Sequence, residues 1–329
     1  MKNWNWLRLL TIVLALGVSH SAFAEESKEA STSGESKVEL DKVKPNQEQN
    51  DTQITNARLA ADAGSKSKVS LRAILNYSGG SVEQPFDRIR PNYRKLGSSP
   101  ILDTTLGGSV GVAIRLDKES QLRFSTGVTM RTPLHNTLSE VTSNVNEQTR
   151  KRIFNVSGLS TEYNKTFRVG NVMYSPSVGA SLATDQFITE VVGLVGSASA
   201  SLTTIFDIEG SSWQPGVSVA MAQYVYKNDN IYDGRGGRRD NLGLGVYPFV
   251  EYKFNDTYAF RTVLGFFNYT NYRDENLSKA QFTQDGHYIS SGLGISVRRD
   301  IWVYPNIQFN PSDIRGDLTN VGVSTILNL

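Results

Sequence analysis

The chain has 329 residues, no cysteine, and a nearly balanced formal charge of +2 at pH 7. The absent thiols exclude a lipobox, a disulfide framework and thiolate metal sites, and the balanced charge leaves no electrostatic footprint for nucleic acid. A mean hydropathy of −0.32 suits a soluble exported protein and equally a membrane β-barrel, whose lumen and loops dilute its hydrophobicity.

In chain order, the first element is an export signal. Lys2 and Arg8 precede the apolar run 9–18, and Ala22-Phe23-Ala24 supplies the small residues that a signal peptidase needs. This pattern predicts a cleaved signal peptide over 1–24; the run is too short to serve as a membrane anchor. Residues 25–67 form a leader rich in charge, Ser, Gln and Asn, too polar to offset its own ordering entropy and so expected to be a flexible, disordered periplasmic segment. Inside it, ITNARLAADAG carries a weak helical pattern stopped by Gly64. Such a leader can fold back onto the base of the domain that follows.

From Val69 onward an apolar residue alternates with a small or polar one. Val69, Leu71, Ala73 and Leu75 oppose Ser70, Arg72, Ile74 and Asn76, while Val110, Val112, Ile114 and Leu116 oppose Ser109, Gly111, Ala113 and Arg115. A period of two means strands with two unlike faces. The comb repeats to the C-terminus in about twelve segments of roughly ten to fourteen residues, longer than the soluble norm and sufficient to cross a bilayer when tilted. Between Ile153 and Tyr163 the parity is muddled, which predicts a bulge. Pro176, Pro215, Pro248 and Pro305 fall on the apolar parity and are expected at bulges or ladder ends, because proline cannot donate to a ladder. Short connections near 118–120, 168–171, 207–212, 255–257 and 299–300 alternate with long ones. Phe124, Phe206, Trp213, Phe254, Tyr258 and Phe260 gather beside the short turns, as an interfacial girdle would.

The layout predicts an all-β fold: residues 68–329 as a closed antiparallel transmembrane β-barrel of about twelve strands. A soluble exported β-sandwich is the competing architecture, since it also alternates. The last strand, VGVSTILNL, resembles the C-terminal signal of outer-membrane β-barrel proteins, with Leu329 where an aromatic residue is usual. The resemblance is to that class as a whole and covers residues from about 69 to 329. It implies location in the cell outer membrane, with the barrel assembly machinery, outer-membrane lipids and lipopolysaccharide as partners. No nucleic acid is expected, and a monomer is favoured.

The inward parity carries an uneven charge. Arg72, Arg115, Arg123, Glu251, Lys253, Arg261 and Arg298 all fall near the short-turn end, and Glu162 joins them if its strand keeps the inferred parity. A three-residue turn sets Glu251 opposite Arg261 as an ion pair and Arg115 opposite Arg123 as a repulsive pair that needs a carboxylate, water or anion between them. The cluster reads as an anion-favouring constriction or as an ionic plug. In the long loops, Arg88, Arg90, Arg94, Lys95, Arg235, Arg238 and Arg239 are candidate partners of lipopolysaccharide phosphates; each is also an ordinary solvated loop charge.

No cofactor or metal is expected: NDNIYDGRGGRRDN lacks calcium-loop spacing. Nor is an enzyme. A lipid-hydrolase pairing would need a serine beside His287, yet Ser290 lies on the opposite face and Ser291 about 13 Å away along the strand. The expected function is a narrow pore for small solutes, anions among them, or a plugged structural barrel. The alternatives are a lipid hydrolase and a soluble binding protein.

Overall fold

The computed structural model describes residues 54–94, 102–135, 153–234, 236–273 and 282–329. The signal peptide, leader residues 25–53, Lys95 and Arg235 lie outside the described residues. In chain order the elements are α1 (Ala57–Ala63), β1 (Val69–Ser81), β2 (Ile89–Arg90), β3 (Leu102–Asp103), β4 (Thr105–Arg115), β5 (Ser120–Arg131) and β6 (Phe154–Lys165). Then come β7 (Phe167–Val169), β8 (Val172–Leu182), α2 (Gln186–Glu190), β9 (Leu194–Phe206), β10 (Trp213–Tyr226), β11 (Asp240–Lys253) and β12 (Tyr258–Gly265). The last are β13 (Phe267–Tyr272), β14 (Phe282–Gln284), β15 (Tyr288–Arg298), β16 (Ile301–Phe309) and β17 (Asn320–Asn328).

Every ladder of the main sheet is antiparallel between sequence neighbours, and β1 pairs with β17 from Arg72↔Asn328 to Ser81↔Asn320. That last pairing closes the sheet. Because β6/β7, β12/β13 and β14/β15 are each one interrupted strand, the cylinder has twelve staves. Closure leaves no edge to template aggregation.

The interruptions accommodate proline. Pro176 sits where the ladder to β8 passes from β6 to β7, between Asn164↔Ser177 and Phe167↔Tyr174. Pro215 lies just before the β9–β10 ladder starts at Gly216↔Ile205. Pro248 faces the junction of β12 and β13, and Pro305 falls in the gap between Gly292↔Asn306 and Ile295↔Val303. Each missing N–H therefore meets a break or a ladder end. The muddled parity of β6 is a bulge: Thr126 pairs with Leu159 and Gly127 with Ser157, leaving Gly158 unpaired at φ +73°. Only glycine takes that conformation without strain.

Long side chains on the apolar parity point out and find no protein cover. Leu71 is 67% exposed, and Val112, Phe124, Val156, Met221 and Phe260 are likewise bare. The girdle residues Phe206, Trp213, Phe254 and Tyr258 are exposed beside the short turns. The opposite parity looks into a lumen coated with hydroxyls, joined across staves as Ser125–Ser160, Ser177–Ser201 and Ser181–Ser197, each at 2.8 Å.

Candidate functional site

At the short-turn end the lumen is filled by the chain's own N-terminal segment. The seven residues of α1 form a helix too short to persist alone in water; its ends and sides are held by the barrel wall. Asn56 caps it, accepting from the Leu59 N–H at 3.2 Å, and the same amide donates to Glu251 at 2.7 Å and to Gln214 at 3.1 Å. Gly64, at φ +78°, turns the chain out of the helix while its N–H returns to the Ala60 carbonyl at 3.0 Å. Leu59 packs on Met173, Ile205 and Phe249; Ala61 packs on Trp302, Tyr304 and Ile326. Residues 54–67, expected to be part of a flexible leader, are thus an ordered cork. Their weak helical signal gains its stability from the wall rather than from local propensity.

Asp62 is the electrostatic centre of the cork. It receives Arg72 at 2.7 Å and Arg123 at 2.8 Å, and Arg123 also reaches Glu162 at 2.5 Å. Burial alone would raise the Asp62 pKa, but the adjoining Arg123 and Arg72 guanidiniums outweigh it and hold the carboxyl well below the usual range. The Asp62 carbonyl accepts further bonds from Gln121, Arg123 and Asn328 at 2.9–3.0 Å. Arg115 donates to the carbonyls of Ala63 and Ser65 at 3.0 and 2.6 Å, and Lys253 to that of Thr55 at 3.4 Å. Glu251 and Arg261 form a buried ion pair, with the Arg261 guanidinium 4.1 Å from the Phe249 ring centre.

Seven of the eight residues of the inferred lumen cluster therefore meet around α1, and two details differ from the sequence reading. The turn after β4 sets Arg115 opposite Gln121 and Ala113 opposite Arg123, so the expected head-on cation pair does not form. Arg298 stands apart: a register shift between Ser296 and Arg298 reverses its side, and it is exposed at the rim, pairing with Asp300 at 2.7 Å. A one-residue bulge exchanges faces, and no local composition signals it here.

Above the cork lies a cavity of about 480 Å³ lined by Arg58, Asn76, Ser177, Ser201, Tyr288 and Gln308 among others. Below it, at the mouth, a pocket of about 120 Å³ is bordered by Thr55, Lys253 and Trp302. Arg58 escaped the sequence reading because it belongs to the leader. Burial, then the nearby charge of Arg261, lowers its pKa to about 10, so it stays cationic near neutrality.

The long loops use several of the candidate lipopolysaccharide cations internally. Arg239 is 3% exposed and donates to Asn228 and Asn230 beside the Tyr226 ring. Arg90 donates to the Asp103 carbonyl at 3.0 Å, and Arg94 lies 4.6 Å from the Tyr288 ring centre. Arg88 is half-buried, whereas Arg238 is exposed. His287 contacts Ser312 at 3.3 Å, while Ser290 turns inward to Tyr304 and Asn306 and Ser291 bonds Thr262. The hydrolase pairing of His287 with Ser290 or Ser291 is not assembled.

A closed cylinder with a bare apolar belt, aromatic girdles and a polar lumen has one stable setting, because only hydrocarbon can cover such a belt at no cost. The chain is a closed twelve-stranded β-barrel with the outer face of a membrane-spanning one. The cork closes the short-turn end, and the long loops lie at the opposite end. No protein-family model matches the barrel, and no curated protein matches it. Among solved structures it is similar to an outer-membrane channel from Pseudomonas putida F1, at 9% identity and a TM-score of 0.49 over 82% of this chain and 98% of that one. It is also similar to the NanC porin, at 9% identity and TM-score 0.41 over 79% and 99%. The third is a KdgM porin in complex with disordered oligogalacturonate, at 9% and 0.38 over 79% and 99%.

Proposed function

We propose that the barrel is a narrow passage for small hydrophilic solutes, anions favoured, whose periplasmic mouth is closed by α1. The reading rests on one observation: a polar, hydroxyl-lined cavity runs down to a floor made by the N-terminal segment rather than by the barrel wall. A wall of Ser, Thr, Asn and Gly suits a wetted lumen, since large apolar side chains would fill it. The cations of the floor favour anions on electrostatic grounds, although Asp62, Glu162 and Glu251 neutralise most of them. The role is transport without chemistry on the solute.

The floor is separable from the barrel. It is contributed by eleven consecutive residues, 54–64, that lie outside every ladder, so their removal leaves all twelve staves paired. The mature chain from Glu25 and a variant lacking residues 54–64 are reconstituted into planar bilayers. The full chain is expected to show small, infrequent openings and the variant a larger, steady conductance. Equal conductance would show that α1 does not close the passage, and none from a correctly folded variant would show the barrel to be a structural plug.

A further inference from the structure

We propose that Arg58 makes the floor of the lumen a binding site for small hydroxylated monocarboxylates. The proposal deepens the passage reading above and rests on it for the route by which solute arrives. Arg58 lines the cavity, is half-buried, and makes no hydrogen bond or ion pair among the described residues. Its neighbours are all committed. Arg72 and Arg123 share Asp62 and Glu162, and Arg261 is paired with Glu251. The four guanidiniums that line the cavity thus face three carboxylates, and Arg58 is the one of the four with no hydrogen-bonded carboxylate.

An enclosed guanidinium without a hydrogen-bonded acceptor is unfavourable, and a carboxylate entering from above would relieve it through two parallel N–H···O bonds. A single surplus charge matches a monoanion better than a dianion. The remaining surface selects for hydroxyls: Ser177, Ser201, Asn76 and Gln308 present both donors and acceptors to the same space. The cavity, at about 480 Å³, is large against the ~10–15 Å³ that one water requires, so a solute of several carbons with its own hydration fits.

The test uses the full mature chain in detergent micelles, titrated calorimetrically with gluconate, glucose and inorganic phosphate. Gluconate is expected to bind at least tenfold more tightly than glucose or phosphate. Arg58→Gln is expected to weaken gluconate at least tenfold, with partial recovery in Arg58→Lys, while heat-modifiable migration confirms that each variant is a folded barrel. Glucose binding as tightly as gluconate, phosphate binding more tightly, unchanged gluconate affinity in Arg58→Gln, or no gluconate binding at all would each overturn the proposal. The conductance test above separates the two ideas. Binding without conductance in the cork-deleted barrel keeps the site and removes the passage; conductance without Arg58-dependent binding does the reverse.

Discussion

At the residue scale the cork depends on Asp62, the only carboxylate that α1 offers to two wall arginines. Removing one partner from a buried ionic cluster leaves the others uncompensated, at a cost of roughly 3 kcal/mol or more. Asp62→Asn is therefore expected to loosen the cork without unfolding the barrel, seen as faster protease cleavage within residues 54–67 at unchanged heat-modifiable migration. Cleavage as slow as in the wild type would show that Leu59 packing alone retains the helix. The pH dependence has a fixed sign. Because the folded pKa of Asp62 is depressed, its contribution is complete above the unfolded value of about 4 and is lost only as pH falls further toward the folded value. Conductance of the full chain should accordingly stay low from pH 7 to 5 and rise only in stronger acid. A rise at pH 6 would assign the gate to a different group.

At the element scale, the strands repeat one rule with two faces, and a cation reports which face it is on. Met221 and Ser201 lie on neighbouring staves, Met221 pointing out at mid-strand and 47% exposed, Ser201 pointing in. Met221→Arg is expected to destabilise the barrel by about 2–4 kcal/mol near the bilayer midplane, whereas Ser201→Arg meets a wetted lumen and should cost far less. Urea unfolding in lipid vesicles measures both; similar losses would contradict the assigned faces. This two-faced rule is also why the staves were readable from sequence. Parity needs only nearest neighbours, and each proline and the muddled stretch before Tyr163 marked a real interruption. What could not be read was set by register and by distance along the chain. The shift at Ser296–Arg298 moved a cation to the rim, and the turn after β4 changed the partner of Arg115. The cork's bonds join residues such as Asn56 and Glu251, 195 positions apart, so a polar leader gave no sign that Arg58 would stand in the lumen.

At the scale of the whole molecule, stability and function share one arrangement: an apolar outer surface that only lipid can cover, and a polar interior closed below by the chain's own beginning. The central claim is that the valine-and-leucine parity meets hydrocarbon while the opposite parity meets the lumen. The four tryptophans of the sequence make this directly measurable, because two, Trp4 and Trp6, belong to the predicted signal peptide. Of the others, Trp213 is exposed on the outer surface, and Trp302 is 5% exposed, stacked on Tyr304 beside the cork. The decisive measurement is fluorescence quenching by brominated phospholipids in the mature Trp213→Phe and Trp302→Phe variants. Strong quenching when Trp213 alone remains, and little when Trp302 alone remains, is the predicted result; equal quenching of the two, or quenching of Trp302 alone, would contradict it.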